Sequence, residues 1–366
     1  MSKRLSFGVL LNRRISTPVI FGALLVACSQ GSPPAFDAAL DGTIDGGPAE
    51  AMAAEGGPAD ADGKVSLAIE KTIKLDRATI WSGLSTDGSD IQFTTMFDRH
   101  IQLKRFDKDL VETQPNVQLT LESDLLVGHI DDHQHLFLGG TYYVAFSSSQ
   151  NKNGLWLFRS GADGKRIGEL VTEVTGSDLP TNDPHLFTDG TSVYLMYGMS
   201  GDSRILATYD LSLKRKSGVT LTMSERRGQL GSTMFHDGGF YMFTGDETQQ
   251  NLTLSRWDNA WKEASPFGLK LIGGDPSTWN YFASGSQHEP ASGRWFIGYH
   301  VFRTSVRDSD TVTLAAFDRN FALLGNLTIG QQGTFRPHVL LLGGAAFVAY
   351  DSIGSVYLTK VRLSDP

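Results

Sequence analysis

The sequence predicts an all-β chain folded as a six-bladed β-propeller, its ring closed by a strand from the N-terminal side of the domain. Three observations predict it. A tight turn built on a small residue and Gly recurs six times, at Asp87-Gly88, Gly139-Gly140, Asp189-Gly190, Asp237-Gly238, Ser292-Gly293 and Leu342-Gly343, with spacings of 52, 50, 48, 55 and 50 residues. Each turn is followed by short β-rich runs bounded by Gly, Asp and Ser, the pattern of an antiparallel meander. The last repeat runs out one strand short at Tyr357–Arg362, and an unpaired strand-like segment, Val65–Leu75, precedes the first repeat. Pairing that segment into the last blade leaves no open edge.

The third repeat shows the unit. Pro184-His185-Leu186-Phe187 leads into the turn, Val193–Tyr197 follows as a second strand, Ile205–Asp210 as a third and Gly218–Thr222 as a fourth. The second-strand runs are nearly continuously apolar, which predicts burial on both faces. They recur at Ile91–Phe97, Tyr142–Phe146, Phe240–Phe243, Trp295–Tyr299 and Ala346–Tyr350. Third strands recur at Ile101–Asp107, Leu155–Arg159, Leu252–Asp258 and Val312–Asp318. Four third strands end in aromatic-Asp: Phe106-Asp107, Tyr209-Asp210, Trp257-Asp258 and Phe317-Asp318. Each Asp is expected to cap the next turn through its own backbone. No segment carries 3.6-residue periodicity, so helix is not expected. The exception to core tryptophans is Trp279-Asn280-Tyr281-Phe282, expected in the longest inter-repeat connection as a lid or stacking platform over the channel.

Five residues before each turn glycine stand Gly83, His135, His185, Thr233, His288 and His338, so four of the nine histidines share one repeat column. In a six-bladed ring these four form two opposed pairs at the axis. Imidazole is the commonest protein metal ligand, so His135, His185, His288 and His338 are candidate ligands for one divalent transition metal in the central channel. Asp131, Asp132, His133, Asp183, Glu289 and Arg336 lie nearby in the repeats. Among these Asp183 and Glu289 are candidate acid–base groups and Arg336 a candidate anion holder. The competing reading is structural: a histidine that ties one blade to the next is copied with the repeat.

The acids also carry a resemblance. Asp131 or Asp132, Asp183 and Glu289, distributed over different blades, are similar in arrangement to the three acids of the five-bladed arabinanase and xylosidase family, which implies acid–base hydrolysis of a sugar. The count here is six blades, and no motif of that family surrounds the acids. The Ser-x-Asp-x-Gly-x-x-Trp box of sialidases is absent, as are GxGxxG after a strand, a P-loop, CxxC and GxSxG.

At the N-terminus, Lys3, Arg4, Arg13 and Arg14 precede an apolar stretch, Pro18–Ala27, too short for a permanent membrane span. It ends in Leu25-Val26-Ala27-Cys28, which resembles a bacterial lipobox. That resemblance implies removal of residues 1–27 and lipidation of Cys28, the single cysteine. Residues 28–63 read as a tether: rich in Gly, Pro, Ala and Asp, with seven acidic residues and no Lys or Arg. As a coil it spans roughly 30–35 Å. Of the chain's net charge of −8, residues 64–366 hold −5, so neither a nucleic-acid footprint nor a polybasic lipid patch is present.

On the lipobox and the repeat period, the chain resembles bacterial lipoproteins bearing a propeller domain. The resemblance implies a lipid-anchored, extracytoplasmic protein of the cell envelope, with the outer membrane favoured over the inner. Two functions stay open: a recognition scaffold for protein or glycan ligands, or a metal-dependent hydrolase or lyase acting on polysaccharide or a small substrate through the histidines.

Overall fold

The computed structural model describes residues 64–364 apart from connections at 77–78, 98–99, 122, 125–129, 149–153, 176–183, 199–202, 223–230, 247–250, 274–277, 304–310, 331–333 and 353–354. The lipobox, Cys28, the tether and Asp183 lie outside the described residues. Among the described residues there are 24 strands in six four-stranded antiparallel sheets and no α-helix.

Five sheets are continuous in sequence. Blade 1 holds β2 (Thr79–Thr86), β3 (Ile91–Phe97), β4 (His100–Phe106) and β5 (Glu112–Gln118). Blade 2 holds β6 (Ile130–Leu138), β7 (Thr141–Ser148), β8 (Gly154–Gly161) and β9 (Arg166–Thr175). Blade 3 holds β10 (His185–Thr188), β11 (Val193–Gly198), β12 (Ser203–Tyr209) and β13 (Arg215–Thr222). Blade 4 holds β14 (Ser232–His236), β15 (Gly239–Asp246), β16 (Asn251–Trp257) and β17 (Glu263–Gly273). Blade 5 holds β18 (Thr278–Glu289), β19 (Arg294–Arg303), β20 (Thr311–Phe317) and β21 (Leu323–Thr328). Blade 6 holds β22 (Thr334–Leu342), β23 (Ala345–Ser352) and β24 (Ser355–Ser364), and takes its outer strand, β1 (Ser66–Asp76), from the start of the domain. β1 pairs with β24 from Ser66↔Ser364 to Asp76↔Ser355, the closure expected from the sequence. The first strands touch in cyclic order β2, β6, β10, β14, β18, β22 and back to β2, so the ring is shut.

Each sheet buries both faces because each faces two neighbours. Six separate apolar cores lie between adjacent blades: Phe93 and Phe347 meet between blades 6 and 1, Phe146 and Leu103 between 1 and 2, and Leu195 and Leu157 between 2 and 3. Alternate residues of one strand feed different cores: Phe296 packs toward blade 6 and Ile297 toward blade 4. This is why the second strands read as unbroken apolar runs.

The aromatic-Asp turns are structural, as expected. The Oδ1 of Asp107, Asp210, Asp258 and Asp318 accepts the backbone N–H groups two and four residues on, at 2.7–2.9 Å. Three residues on, Leu110, Leu213, Trp261 and Phe321 sit at φ 59–65°. That conformation normally excludes large side chains. Here it drives each one into or against the core between two blades, which recovers the backbone strain as apolar burial.

The segment Trp279–Phe282 is a correction. Instead of a lid in a connection, its backbone forms the first part of β18, with Tyr281 paired to Val301 and Phe282 to His300.

Candidate functional site: the central channel

The six first strands surround a cavity of about 330 Å³ on the ring axis. His135, His185 and His338 line it, together with Ser85, Gln134, Ser232, Thr233, Ser286 and Gln287. Exposure rises along each first strand toward its turn: His135 and Thr233 are buried, whereas Phe137 and Phe235 are half-buried. The cavity therefore widens toward the end of the ring that carries these hairpins.

The column is a set of inter-blade ties. Gly83 supplies the space for the His135 ring; a Cβ there would stand 2.5 Å from Nδ1. His135 Nε2 lies 2.7 Å from Ser85 Oγ, and Nδ1 lies 2.7 Å from Thr94 Oγ1. Ser85 also donates to Gln92 Oε1 at 3.0 Å, so its oxygen must accept from His135 Nε2–H. His135 Nδ1 then accepts from Thr94, and Thr94 Oγ1 in turn accepts from His133 Nε2–H at 3.2 Å. The protons thus run one way, from His133 through Thr94, His135 and Ser85 to Gln92. Gln92 Nε2 donates to Asp87 Oδ2 at 3.2 Å, at the hairpin surface. This polarity leaves the lone pair of buried His133 Nδ1 without a partner.

His185 joins three blades. Gln134 Oε1 can only accept, so His185 Nδ1–H donates to it at 3.0 Å, and Nε2 accepts the Thr233 backbone N–H at 2.7 Å. Both nitrogens of His135 and of His185 are therefore engaged within the protein.

Burial first, then the neighbouring imidazoles, pushes His135 down to about 3. Burial takes His133 and His185 down to about 4. His338 falls to about 3, by burial and then by His185, His133 and Arg336. All are neutral at ordinary pH.

His288 does not join the column. The Glu289↔Arg294 pair closes a four-residue turn whose only positive-φ residue is Gly293, its last. The position equivalent to His135 is Ser286, whose hydroxyl meets Ser232 Oγ at 2.7 Å, whereas His185 matches Gln134 in register and faces the following blade. His288 stands two residues nearer the hairpin end, its ring centroid 3.8 Å from that of His236 and against Trp295. In blade 6 the equivalent position is Val339, inside the core between blades 5 and 6, and His338 faces the opposite way. Among the described residues, no group of three or more His, Cys, Asp or Glu side chains is placed to share a metal ion.

Of the acids, the two whose side chains are described, Asp132 and Glu289, lie at different heights in their blades. Glu289 ends β18 at its hairpin and accepts from Ser292 Oγ at 2.5 Å, while Asp132 stands six residues before the hairpin of blade 2. The side chain of Asp131 lies outside the described residues. Arg336 sits near the start of β22 at φ 57°, away from the cavity lining, with its backbone N–H donated to His300 Nδ1 at 3.1 Å. Counting back from the turns does not reveal His133, Thr94, Gln134 and Thr233 as hydrogen-bond partners of the column, although Thr233 stands in it and His133 lies nearby. Period-two alternation signals two of them: His133 shares the face of His135, and Gln134 takes the opposite one.

No protein-family model matches the chain, and no curated protein does. Solved structures do. A member of the DUF4221 family from Bacteroides vulgatus superposes with a TM-score of 0.50 at 10% identity, covering 84% of this chain and 100% of that one. A xylan β-1,4-xylosidase from Bacillus halodurans gives 0.47 at 12% identity over 68% of this chain and 55% of that one. An α-L-arabinanase from Cellvibrio cellulosa gives 0.43 at 11% identity over 69% and 95%. At these identities none of these likenesses says more than fold, and the six blades are read from the strands described above.

Proposed function

We propose that this chain is a lipid-anchored, extracytoplasmic recognition scaffold for a glycan or protein ligand. One observation carries the recognition reading. All six first strands converge on a cavity lined by hydrogen-bonding groups, while His135 and His185 spend both ring nitrogens on holding the blades together. A rigid ring with a polar axial cavity suits binding, and nothing in it favours the metal-dependent hydrolase. The anchor rests on the sequence: the apolar run ending at Cys28 and the acidic tether after it.

Two measurements on the full chain test this. Expressed in a bacterial host with a clickable fatty acid, the wild type is expected to carry label in the membrane fraction and Cys28→Ser to lose it; label retained by Cys28→Ser refutes the anchor. Screened on a glycan array and by cross-linking in envelope preparations, the purified protein is expected to capture a defined ligand. Capture no higher than that of a heat-unfolded sample refutes recognition.

A further inference from the structure

We propose that the axial cavity binds one uncharged, polyhydroxylated ring, of the size and chemistry of a neutral monosaccharide unit, entering from the hairpin end. The inference rests on the scaffold reading and narrows it to a place and a ligand class.

Size comes first. About 330 Å³ lies at the lower end of the roughly 300–1,000 Å³ typical of small-molecule pockets, so the cavity suits a single ring and not an extended chain. Charge comes second. Among the described residues, no Asp, Glu, Lys or Arg lines the cavity. Its three histidines are held neutral by burial. A charged ligand would give up its hydration and meet no countercharge.

Hydrogen bonding then selects hydroxyl groups. Thr233 and His338 are 6% and 8% exposed, and Thr233 Oγ1 and His338 Nε2 have no partner in the protein. Buried polar atoms are nearly always paired, so two orphans on strands that line the same cavity, from blades 4 and 6, point to a ligand that pairs them. The Ser232–Ser286 couple adds to this. One hydroxyl donates to the other at 2.7 Å, which leaves one O–H over. Thr233 needs a partner of either sense and the serine couple needs an acceptor. A sugar hydroxyl, both donor and acceptor, meets both. Toward the wider end, Phe137 and Phe235 offer apolar walls to the C–H faces of such a ring.

The experiment uses full-length protein in a detergent without a sugar headgroup. Methyl glycosides of neutral hexoses and pentoses are titrated beside glucuronate, galacturonate and glucosamine, followed by saturation-transfer NMR and by the methyl resonance of ¹³C-labelled Met234. Among the described residues, Met234 is the one methionine lining the cavity. At least one neutral ring is expected to bind and to move the Met234 signal, with its charged counterparts weaker by about tenfold or more. Thr233→Val is expected to weaken that binding by about tenfold, the loss of one buried hydrogen bond. The proposal is overturned if no neutral ring binds at tens of millimolar, which leaves water alone in the cavity. It is equally overturned if charged rings bind as well as neutral ones, or if binding leaves Met234 unmoved. A glycan captured on the array and held unchanged by Thr233→Val overturns the cavity site while sparing the scaffold reading; no capture at all removes both.

Discussion

Mild acid should unfold this protein, and the amount follows from its buried imidazoles. His133 and His185 are held down to about 4, and His135, His300 and His338 to about 3. In the unfolded chain each returns to about 6.5. A lowered folded-state value means that the unfolded state binds protons first. The stabilisation is complete above pH 6.5 and is lost as pH falls toward 4. At pH 5 one such histidine costs about 2 kcal/mol, and five cost about 10 kcal/mol, comparable to the whole stability of a typical domain. The steepest slope is about 7 kcal/mol per pH unit. Urea titrations of the full chain, read by tryptophan fluorescence between pH 7.5 and 4.5, measure it directly. His185→Gln should flatten the slope by about one proton. An unfolding free energy that changes by less than about 2 kcal/mol between pH 7.5 and pH 5 would refute the view that these imidazoles are buried and neutral.

Two substitutions test the packing. Gly83→Ala places a methyl group 2.5 Å from His135 Nδ1 and 3.1 Å from Thr94 Oγ1, which must break the His135 ties. A loss of about 2–4 kcal/mol is expected in denaturant titration, and a loss under about 1 kcal/mol would show that the ring has room to move. At Leu213, at φ 63° and 4% exposed, Leu213→Ala should cost about 2–5 kcal/mol. Leu213→Gly should be no worse, because glycine gives up roughly 1 kcal/mol of left-handed strain; a glycine variant clearly less stable than the alanine one would count against strain at this turn.

The ring was legible because its signals are backbone signals. Tight turns demand residues that tolerate positive φ, so Gly recurs where chain reversal recurs. Strands buried on both faces show as unbroken apolar runs. The missing strand of blade 6 was legible because an unpaired edge is costly and only one extended segment was free to cover it. The backbone of Trp279–Phe282 misled because aromatic residues suit a strand as well as a platform, and β18 is simply longer than its counterparts.

The site was half legible, and the turns explain which half. Counting back from a glycine assumes that the glycine holds the same place in every turn. In the two-residue turn Gly139-Gly140 both φ values are positive, 57° and 80°, and the second Gly is the anchor. Gly343-Gly344 is the same turn, with 61° and 77°, so anchoring on Gly343 lands one residue short of the true position. A one-residue slip on a strand reverses the face, which is why His338 and Val339 exchange roles. In blade 5 the anchor slips by two, which keeps the face but moves the residue roughly 7 Å along the strand, and His288 meets His236 instead of the axis. Aligning the apolar second strands, whose register fixes the sheet, places Ser286 and Val339 in the column of His135, and Leu186 there in place of His185.

That register also separates support from site. Six backbones meet at the axis, where side chains must be small or fully hydrogen-bonded. Gly83, Ser286 and the neutral imidazoles of His135 and His185 meet that need. A ring selected only for closure has no use for Thr233 Oγ1 and His338 Nε2, buried beside them and unpaired, since an apolar residue of similar shape at either place removes the cost. The satisfied members of the axis belong to the architecture, and Thr233 and His338, which line the cavity unpaired, mark where a ligand completes it.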